Sequence, residues 1–407
     1  MTVLFLNPAG TLGGAERSLL DLIASLIAAA PRLPVALILG GEGPLADEAE
    51  RLGAQVRVLP LPARLARTGD FALGGPLAIA RHAPALLAAS LELGSYGLAL
   101  QREMRGFAPS LVHSNGIKTH LLSALLPLRG VPVVWHVRDF IGQRAVMAHV
   151  LGAVSWRPAA LLAISKSVAD DIARALGRAD ATVVYNGIDT SRFTADGARV
   201  DLDALAGLPP PPDGALRVGL VATYARWKGQ AHFLDAAARV VGGAGRDAAR
   251  FYVIGGRTYA TEDSQFSREE LLREIGARGM EGVAGLVPFQ REPERAYRAL
   301  DVVVHASTRP EPFGRTIAEA MACAKPVVVA REGGAAELVT DDVDSLAVRP
   351  RDPEALAGAI LGLIRDPARR ARLGAEARRT ATRRFARERL GTEVLAAYAR
   401  IGARSLA

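Results

Sequence analysis

Cysteine, lysine, aromatic residues and long apolar runs are all scarce in this 407-residue chain. The single cysteine, Cys323, excludes a disulfide framework, and no group of cysteines and histidines has the spacing of a zinc site. No apolar run approaches the ~20 residues that a membrane-spanning helix needs. The N-terminus lacks the basic residues that begin a signal peptide, and its first charge is Glu16. We therefore expect a cytoplasmic protein.

The positive charge is modest and evenly spread. The chain has 50 Lys and Arg against 42 Asp and Glu, a net charge of +8, and the two halves share this excess equally. Only four of the cations are lysines, and the chain has no basic tail. Mild attraction to phosphates or to an anionic membrane surface is all that this charge supports, and we expect no nucleic-acid partner.

Short runs rich in Val, Ile and Leu alternate with segments of helical period along the whole chain. The runs are continuously apolar, as in strands that are covered on both faces. Such alternation predicts an α/β fold with parallel sheets and right-handed crossovers. The predicted strands span residues 3–7, 35–39, 55–59, 111–113, 133–136, 161–164, 182–185, 217–222, 251–254, 285–288, 302–305 and 326–330.

The strand–helix pattern is interrupted at residues 194–214, which contain four consecutive prolines and predict a linker. The chain on either side is long enough for one doubly wound domain, so we predict two Rossmann-like domains facing across a cleft. The N-terminal domain spans residues 1–193, with a helical insertion at about 61–110. The C-terminal domain spans residues 215–385, and a last helix in 386–407 packs back on the N-terminal domain.

Ligands of open parallel sheets bind beyond the carboxyl ends of the strands. The first such loop contains Gly13 and Gly14 ahead of a helix, where free N–H groups and the helix dipole can hold a diphosphate. A tight turn would need the same glycines. His113 with Asn115, and His136, lie at two other strand ends, where each histidine is either structural or faces a ligand.

In the second half, Arg226 and Lys228 precede Gly229 just after a strand, a placement that suits a diphosphate but also fits a solvated basic turn. Further along, Glu311 and Glu319 are eight residues apart, the first in a Pro- and Gly-containing loop and the second on the helix that follows. Both carboxylates can accept hydrogen bonds from sugar hydroxyls. The N–H groups at the start of that helix can hold phosphate, and they belong to Gly314, Arg315 and Thr316.

The segment Pro310-Glu311-Pro312-Phe313-Gly314, followed by Glu319-Ala320-Met321-Ala322, resembles the E-x7-E signature of GT-B glycosyltransferases of family 4. Other segments match in the same order over roughly residues 1–390. They include Gly13-Gly14-Ala15-Glu16, the loops of His113 and His136, Tyr185-Asn186-Gly187, Trp227-Lys228-Gly229-Gln230 and Gly333-Gly334-Ala335-Ala336-Glu337.

The resemblance implies a role for each matching residue. His136 would hydrogen-bond the donor sugar, Lys228 would stabilise the leaving phosphate and Glu311 would hold sugar hydroxyls, and these three are the implied catalytic residues. Glu319 would bind the ribose. The implied donor-binding residues are Gly13, Gly14, Arg226, Phe313, Gly314, Arg315, Thr316 and Glu319. The acceptor-side candidates, in the N-terminal domain, are Glu16, His113 and Asn115.

The resemblance also implies the reaction. Such enzymes retain the anomeric configuration and need neither metal nor cofactor, since cations and helix dipoles carry the diphosphate charge. The expected donor is a UDP- or GDP-sugar, and the expected acceptor is a glycan, a lipid-linked sugar or a small molecule. Peripheral contact with the inner face of a membrane could come from the arginines of the insertion, although core-facing helices with an exposed arginine face explain them equally well. These arginines are Arg64, Arg67, Arg81, Arg102 and Arg105.

Two positions depart from the family pattern. Thr223 stands where family members usually carry an arginine, so that charge would come from Arg226 or from Arg315, or would be missing. Ala324 stands where glycine is common. Two alternatives therefore stay open: a sugar phosphorylase or nucleotide-sugar epimerase on the same fold, and a catalytically silent subunit that binds a nucleotide sugar.

Overall fold

The computed structural model describes residues 2–63, 65, 83–128, 130–257 and 264–402, without the side chains of 83–91. The chain divides into two compact units. The first unit comprises Met1–Gly187 together with Arg387–Ala407, and the second comprises Ile188–Ala386. The second unit is therefore continuous in sequence, whereas the first is completed by the C-terminal segment.

The first unit contains a parallel sheet of seven strands among the described residues, in the order β3-β2-β1-β4-β5-β6-β7. Its continuous apolar runs are covered on both faces by helices, and β1, β2 and β5 are almost wholly buried. The strands are β1 (Thr2–Asn7), β2 (Val35–Leu39), β3 (Gln55–Val58), β4 (Pro109–Ser114), β5 (Val133–Val137), β6 (Ala160–Ala163) and β7 (Thr182–Val183). The helices up to β7 are α1 (Gly14–Ala29), α2 (Leu45–Arg51), α3 (Ala83–Phe107), α4 (Ile117–Leu125), α5 (Ala145–Ala153) and α6 (Lys166–Leu176).

The second unit contains a parallel sheet of six strands within the described ranges, in the order β10-β9-β8-β11-β12-β13. The strands are β8 (Leu216–Val221), β9 (Ala249–Gly255), β10 (Ala284–Pro288), β11 (Val302–His305), β12 (Val327–Ala330) and β13 (Leu346–Val348). The helices are α7 (Leu202–Ala206), α8 (Gln230–Ala244), α9 (Arg268–Gly276), α10 (Pro293–Ala299), α11 (Arg315–Ala322), α12 (Ala335–Leu338), α13 (Pro353–Arg365) and α14 (Pro367–Phe385). A 3₁₀ turn at Arg226–Lys228 precedes α8.

The α/β class with two doubly wound parallel sheets is confirmed, and each of the twelve predicted strands is present. The predicted strands do not include β13, a strand of three residues at the edge of the sheet. The segment predicted as a linker, 194–214, lies within the second unit and forms α7. There Asp203 accepts hydrogen bonds from the Tyr252 hydroxyl at 2.6 Å and from Arg217 at 2.9 Å.

The predicted insertion is described only in part. Arg64, Arg67 and Arg81 lie outside the described residues. Arg102 and Arg105 are exposed on α3, whose buried side includes residues such as Leu100 and Met104. In the described part of the chain, no helix combines the length and apolar character needed to cross a membrane.

The C-terminal helix α15 (Glu388–Arg400) packs on α1 in the first unit. The Ser25 hydroxyl donates to the carbonyl of Glu388 at 3.1 Å and accepts from the backbone N–H of Gly391 at 2.8 Å. A Cβ atom added at Gly391 would lie 2.3 Å from the carbonyl oxygen of Ser25. The close crossing of the two helices therefore requires glycine at this position.

We expect Gly391→Ala to lower the free energy of unfolding by about 1–3 kcal/mol, because the new methyl group overpacks a helix crossing that cannot separate freely. Urea denaturation measures the effect. The matched control is Gly242→Ala on α8, where an added Cβ meets nothing within 4 Å. That variant should gain about 0.5–1 kcal/mol, since alanine is the better helix former. Equal stability of the two variants would show that the crossing tolerates a side chain.

Candidate active site

In the second unit, polar side chains gather at the carboxyl ends of β8 and β11. After β8 the chain enters the 3₁₀ turn Arg226–Lys228, which Gly229 closes with φ +81°. A Cβ at Gly229 would lie 1.8 Å from the carbonyl oxygen of Ala306, so only glycine lets this turn approach the end of β11 so closely. The close approach brings Lys228 beside the loop that carries Glu311.

Lys228 and Glu311 form a bidentate ion pair. The Lys228 ammonium lies 2.8 Å from Oε1 and 2.7 Å from Oε2 of Glu311, and it also sits over the Trp227 ring. The Ser307 hydroxyl donates to Oε2 of Glu311 at 3.0 Å, and Nε2 of His305 lies 3.3 Å from the same oxygen. The ion pair is largely shielded, since the side chain of Lys228 is 20% exposed and that of Glu311 is 11% exposed.

The carboxyl of Glu311 is an anion at any working pH. Burial alone would raise its pKa, but the Lys228 charge, with a hydrogen bond from His305, outweighs burial and holds the pKa well below its usual range. Glu311 can therefore accept hydrogen bonds from hydroxyl groups, while Lys228 supplies a localised positive charge next to it.

The second glutamate, Glu319, is buried on α11 and is also held in place. Its Oε1 accepts from Nε of Arg315 at 2.7 Å, and its Oε2 accepts from the Tyr297 hydroxyl at 3.0 Å. Gly314 starts the helix with φ +98°, so Arg315 and Thr316 are its first residues, whose N–H groups have no acceptor within the helix. The two predicted glutamates thus lie on either side of Gly314, Glu311 in the loop before α11 and Glu319 on the helix itself.

Two other predicted donor-side residues are engaged elsewhere in the second unit. Phe313 is buried and meets the Phe385 ring edge-on at 5.9 Å between ring centres. Arg226 stacks over Phe266 and pairs with Glu270 at 2.6 Å, in the first turn of α9. The charge that Arg226 was expected to bring to the position of Thr223 is thus paired with a carboxylate in this structure.

In the first unit, His113 and His136 lie side by side at the ends of β4 and β5, both fully buried. Nε2 of His113 lies 3.2 Å from Nδ1 of His136, and Nδ1 of His113 lies 2.6 Å from the hydroxyl of Tyr398 on α15. Nε2 of His136 is buried and has no hydrogen-bond partner among the described residues. His136, a predicted site residue, thus has a ring nitrogen that is not hydrogen-bonded to any described residue.

Arg138 links the neighbouring polar groups. Its guanidinium donates to the side-chain oxygens of Asn115 and of Asn186, the latter at 2.7 Å. Asn115 in turn donates to Oδ1 of Asn7 at 2.8 Å, which ties the guanidinium to the loop after β1. The neighbouring Asp139 pairs with Arg144 at 2.8 Å.

Both histidines at these strand ends are neutral near pH 7. Burial lowers the pKa of His113 and of His136 well below the ordinary value, and the nearby Arg138 charge lowers both further. The same two causes lower the pKa of His120 to about 3. Each imidazole therefore carries one proton, and its position decides which ring nitrogen donates.

In the first unit, the loop that contains Gly13 and Gly14 is hydrogen-bonded to Glu16 in the first turn of α1. Oε2 of Glu16 accepts from the backbone N–H of Gly13 at 3.1 Å and caps the start of α1. Burial raises the pKa of Glu16. A Cβ at Gly14 would meet nothing within 4 Å. Glu16 is thus committed to its own helix, and its predicted role on the acceptor side stays a prediction.

Sequence reasoning missed several residues that shape these clusters: His305, Ser307, Tyr297, Asn186 and Tyr398. His305 and Ser307 stand in the segment that drew attention to Glu311, so their place at a strand end was the available signal. Tyr297 and Tyr398 reach their partners from other helices, and no local pattern marks them. Among the residues that the structure describes, no group of three or more His, Cys, Asp or Glu side chains could hold a metal ion.

Two family models together match most of the chain. The model described as Glycosyltransferase Family 4 matches residues 12–192, and that described as Glycosyl transferases group 1 matches residues 209–380. The two matches correspond to the two predicted domains.

Individual proteins are also similar to this chain. A D-inositol 3-phosphate glycosyltransferase of Xylanimonas cellulosilytica is 35% identical over 254 residues, which are 59% of this chain and 56% of that protein. The match thus spans about half the length of that relative. An alpha-maltose-1-phosphate synthase of Mycolicibacterium smegmatis is 29% identical over 86% of this chain and 96% of its own. The crystal structure of Anabaena HepE in complex with UDP has a TM-score of 0.77 and 24% identity, covering 98% of this chain and 100% of that one.

Proposed function

The chain belongs to the GT-B glycosyltransferases of family 4, and we propose that it transfers a sugar from a nucleotide-diphosphate sugar to an acceptor hydroxyl with retention of configuration. The observation that carries this proposal is the shielded Lys228–Glu311 pair at the carboxyl ends of β8 and β11. A localised cation beside an ionised carboxylate suits a substrate that carries diphosphate and sugar hydroxyls on adjacent groups.

The roles of the second unit follow from its contacts. Lys228 would share its charge with the leaving phosphate, and Glu311 would accept hydrogen bonds from sugar hydroxyls, since its pKa keeps it ionised. Glu319 has a lone pair left on each oxygen after accepting from Arg315 and Tyr297, so it can also accept from ribose hydroxyls. The N–H groups at the start of α11 would face the diphosphate.

The reaction that we propose is a front-face displacement. The acceptor oxygen bonds to the anomeric carbon on the side from which the diphosphate leaves, and the acceptor's proton passes to the departing phosphate oxygen. Glu311 is not assigned as a nucleophile, because both of its oxygens are held by Lys228. The cationic side chain and the helix N-terminus would carry the developing charge, so we propose that no divalent metal is needed.

We propose UDP as the nucleotide, with GDP as the alternative. Support comes from HepE, for which there are crystal structures in complex with UDP and with UDP-glucose. For the acceptor, the names of the two curated relatives include D-inositol 3-phosphate and alpha-maltose 1-phosphate, so phosphorylated small molecules come first in a screen, ahead of glycans and lipid-linked sugars. Peripheral membrane contact stays a prediction that a vesicle-binding assay would test.

A second candidate is a silent subunit that binds a nucleotide sugar without turnover. One observation favours it: Arg226, which would replace the arginine missing at Thr223, is paired with Glu270. Binding of a donor with no transfer to any acceptor in the screen would support this candidate. Dependence on inorganic phosphate would indicate a phosphorylase, and conversion of the nucleotide sugar without acceptor would indicate an epimerase.

Thermal unfolding with UDP, GDP, ADP, dTDP and CDP, with and without EDTA, tests the proposed donor site. A ligand at 100 times its dissociation constant stabilises the folded state by ~2.7 kcal/mol. We expect UDP to raise the melting temperature most, and EDTA to leave this shift unchanged. Absence of a shift with every nucleotide would overturn the assignment of the donor site, and loss of the shift in EDTA would overturn metal independence.

A further inference from the structure

A buried chain of hydrogen bonds ends at His136 in the first unit. The hydroxyl of Tyr398 lies 2.6 Å from Nδ1 of His113, and Nε2 of His113 lies 3.2 Å from Nδ1 of His136. One guanidinium nitrogen of Arg138 lies 3.4 Å from the same Nδ1. The other ring nitrogen, Nε2 of His136, is buried and has no partner among the described residues.

Arg138 determines which atom donates and which accepts in each of these hydrogen bonds. A guanidinium only donates hydrogen bonds, so Nδ1 of His136 must be the acceptor of the contact. Nε2 of His113 then donates to that Nδ1, and Nδ1 of His113 accepts from the Tyr398 hydroxyl. This single arrangement is compatible with all three contacts, with the one lone pair of His136 Nδ1 shared between two donors, and it leaves the proton of His136 on Nε2.

The reverse direction is costly at both ends. An N–H on Nδ1 of His136 would point at the cationic guanidinium of Arg138. The Tyr398 hydroxyl would then accept from His113, and no acceptor for its own proton exists among the described residues. A buried donor without a partner costs about 1–3 kcal/mol, so the forward arrangement is favoured.

Other interactions hold the Arg138 guanidinium in place and keep both histidines neutral. Asn115 and Asn186 both accept from the guanidinium, which fixes its place beside His136. Burial, followed by the Arg138 charge, lowers the pKa of both histidines, so each keeps a single proton. The only open question for each ring is which nitrogen carries that proton.

We propose that Arg138 and His113 are positioning residues that fix His136 as the Nε2–H tautomer, so that it presents a neutral N–H donor to a substrate oxygen. The identity of that oxygen as a hydroxyl of the donor sugar rests on the proposed function. The tautomer itself follows from the contacts within the first unit. A fixed donor needs no reorientation when the substrate binds, which is the advantage of a preorganised site.

Two-bond ¹H–¹⁵N correlation spectra of the whole ligand-free protein, labelled with ring-¹⁵N histidine, measure the tautomer directly. His113→Asn and His136→Asn assign the two signals. We expect both histidines of the unmodified protein to be neutral Nε2–H tautomers at pH 7. A proton on Nδ1 of His136, or a mixture of the two forms, would overturn the proposal without any need for a further variant.

Arg138→Met removes the cation that sets the direction and keeps much of the side-chain volume. We expect the tautomer ratio of His136 to move at least about tenfold toward Nδ1–H, because a charged hydrogen bond is lost. Arg138→Lys should keep the original ratio. The control Tyr398→Phe removes a hydroxyl at the other end and should also keep it. A switch in Tyr398→Phe, or none in Arg138→Met, would contradict the role of Arg138.

The activity of the same variants separates this inference from the proposed function. Arg138→Met should lower kcat, while the KM for the nucleotide sugar changes little, and Arg138→Lys should recover most of the rate. If no nucleotide binds in the thermal-unfolding assay, the proposed function fails while the tautomer result still stands. If nucleotide binds but His136 carries its proton on Nδ1, only the inference on tautomers fails.

Discussion

Replacement of Lys228 by alanine is expected to lower kcat/KM for sugar transfer by about 10²–10³-fold, the usual cost of removing one preorganised charge-stabilising donor. Lys228 is the only side chain that reaches both oxygens of Glu311 within the described residues, and it does so at 2.7–2.8 Å. Its loss removes the positive charge and also releases the carboxylate that it orients. Initial rates with the nucleotide sugar identified by the binding screen measure the effect.

The same variant should lose stability in a pH-dependent way. Breaking a buried ion pair by removing one partner costs about 3–5 kcal/mol, because the other charge stays buried. In the unmodified protein the lowered pKa of Glu311 stabilises the fold above the unfolded value near 4.5, and this stabilisation is lost as pH falls through the folded pKa. Without Lys228, burial would dominate and raise the pKa. The stability deficit of Lys228→Ala should therefore be largest near pH 7 and shrink toward pH 5.

The matched control for Lys228→Ala is Lys166→Ala at the exposed start of α6, which should change both rate and stability by little. Urea denaturation at pH 5 and pH 7 gives the two stabilities. A Lys228→Ala enzyme within threefold of the normal rate would contradict the assigned role. A deficit that grows toward pH 5 would contradict the assigned ionisation of Glu311.

The Glu319→Ala variant should lose most of the stabilisation that UDP provides. Hydrogen bonds to a charged group contribute about 1.5–3 kcal/mol, so the dissociation constant should rise up to ~100-fold. At a UDP concentration of 100 times the original dissociation constant, the stabilisation would fall from ~2.7 to ~0.4 kcal/mol. Thermal unfolding with and without UDP measures both values in a single series.

Tyr297→Phe provides the control for this second variant. It removes the hydroxyl that donates to Oε2 of Glu319 but leaves the carboxylate and its contact with Arg315. The UDP shift should therefore remain, although the variant itself melts at a lower temperature. If Tyr297→Phe lost the shift and Glu319→Ala kept it, the ribose would have to be bound by another group.

The fold could be predicted because its signal is local and repeated. The run 35–39 is wholly apolar, and 302–305 is apolar up to His305; the observed β2 and β11 have the same limits. The linker prediction at 194–214 depended on four consecutive prolines and on the low apolar content of the segment. Proline restricts the backbone but does not prevent packing, and α7 lies in that segment with Asp203 bonded to Tyr252.

The sequence predicted only those site residues that lie near the ends of strands or in a motif of fixed spacing. Lys228, Glu311 and Glu319 met that condition, and the structure places Lys228 in the 3₁₀ turn after β8, Glu311 in the loop after β11 and Glu319 on the second turn of α11. The pairing of Lys228 with Glu311 joins residues 83 positions apart, and that of His113 with Tyr398 joins residues 285 apart. Such contacts depend on how the chain folds back, which a single sequence does not encode locally.

The packing of α15 on α1 also affects how the protein is made. The second unit is one uninterrupted segment, so it can fold as soon as it leaves the ribosome, whereas the first unit lacks α15 until the whole second unit has been synthesised. At 5–20 residues per second, translation of the intervening segment takes roughly 10–40 s. Throughout that delay the nascent first unit lacks Tyr398 beside His113 and Gly391 against Ser25. The face of α1 that α15 covers in the folded protein is therefore exposed throughout that delay.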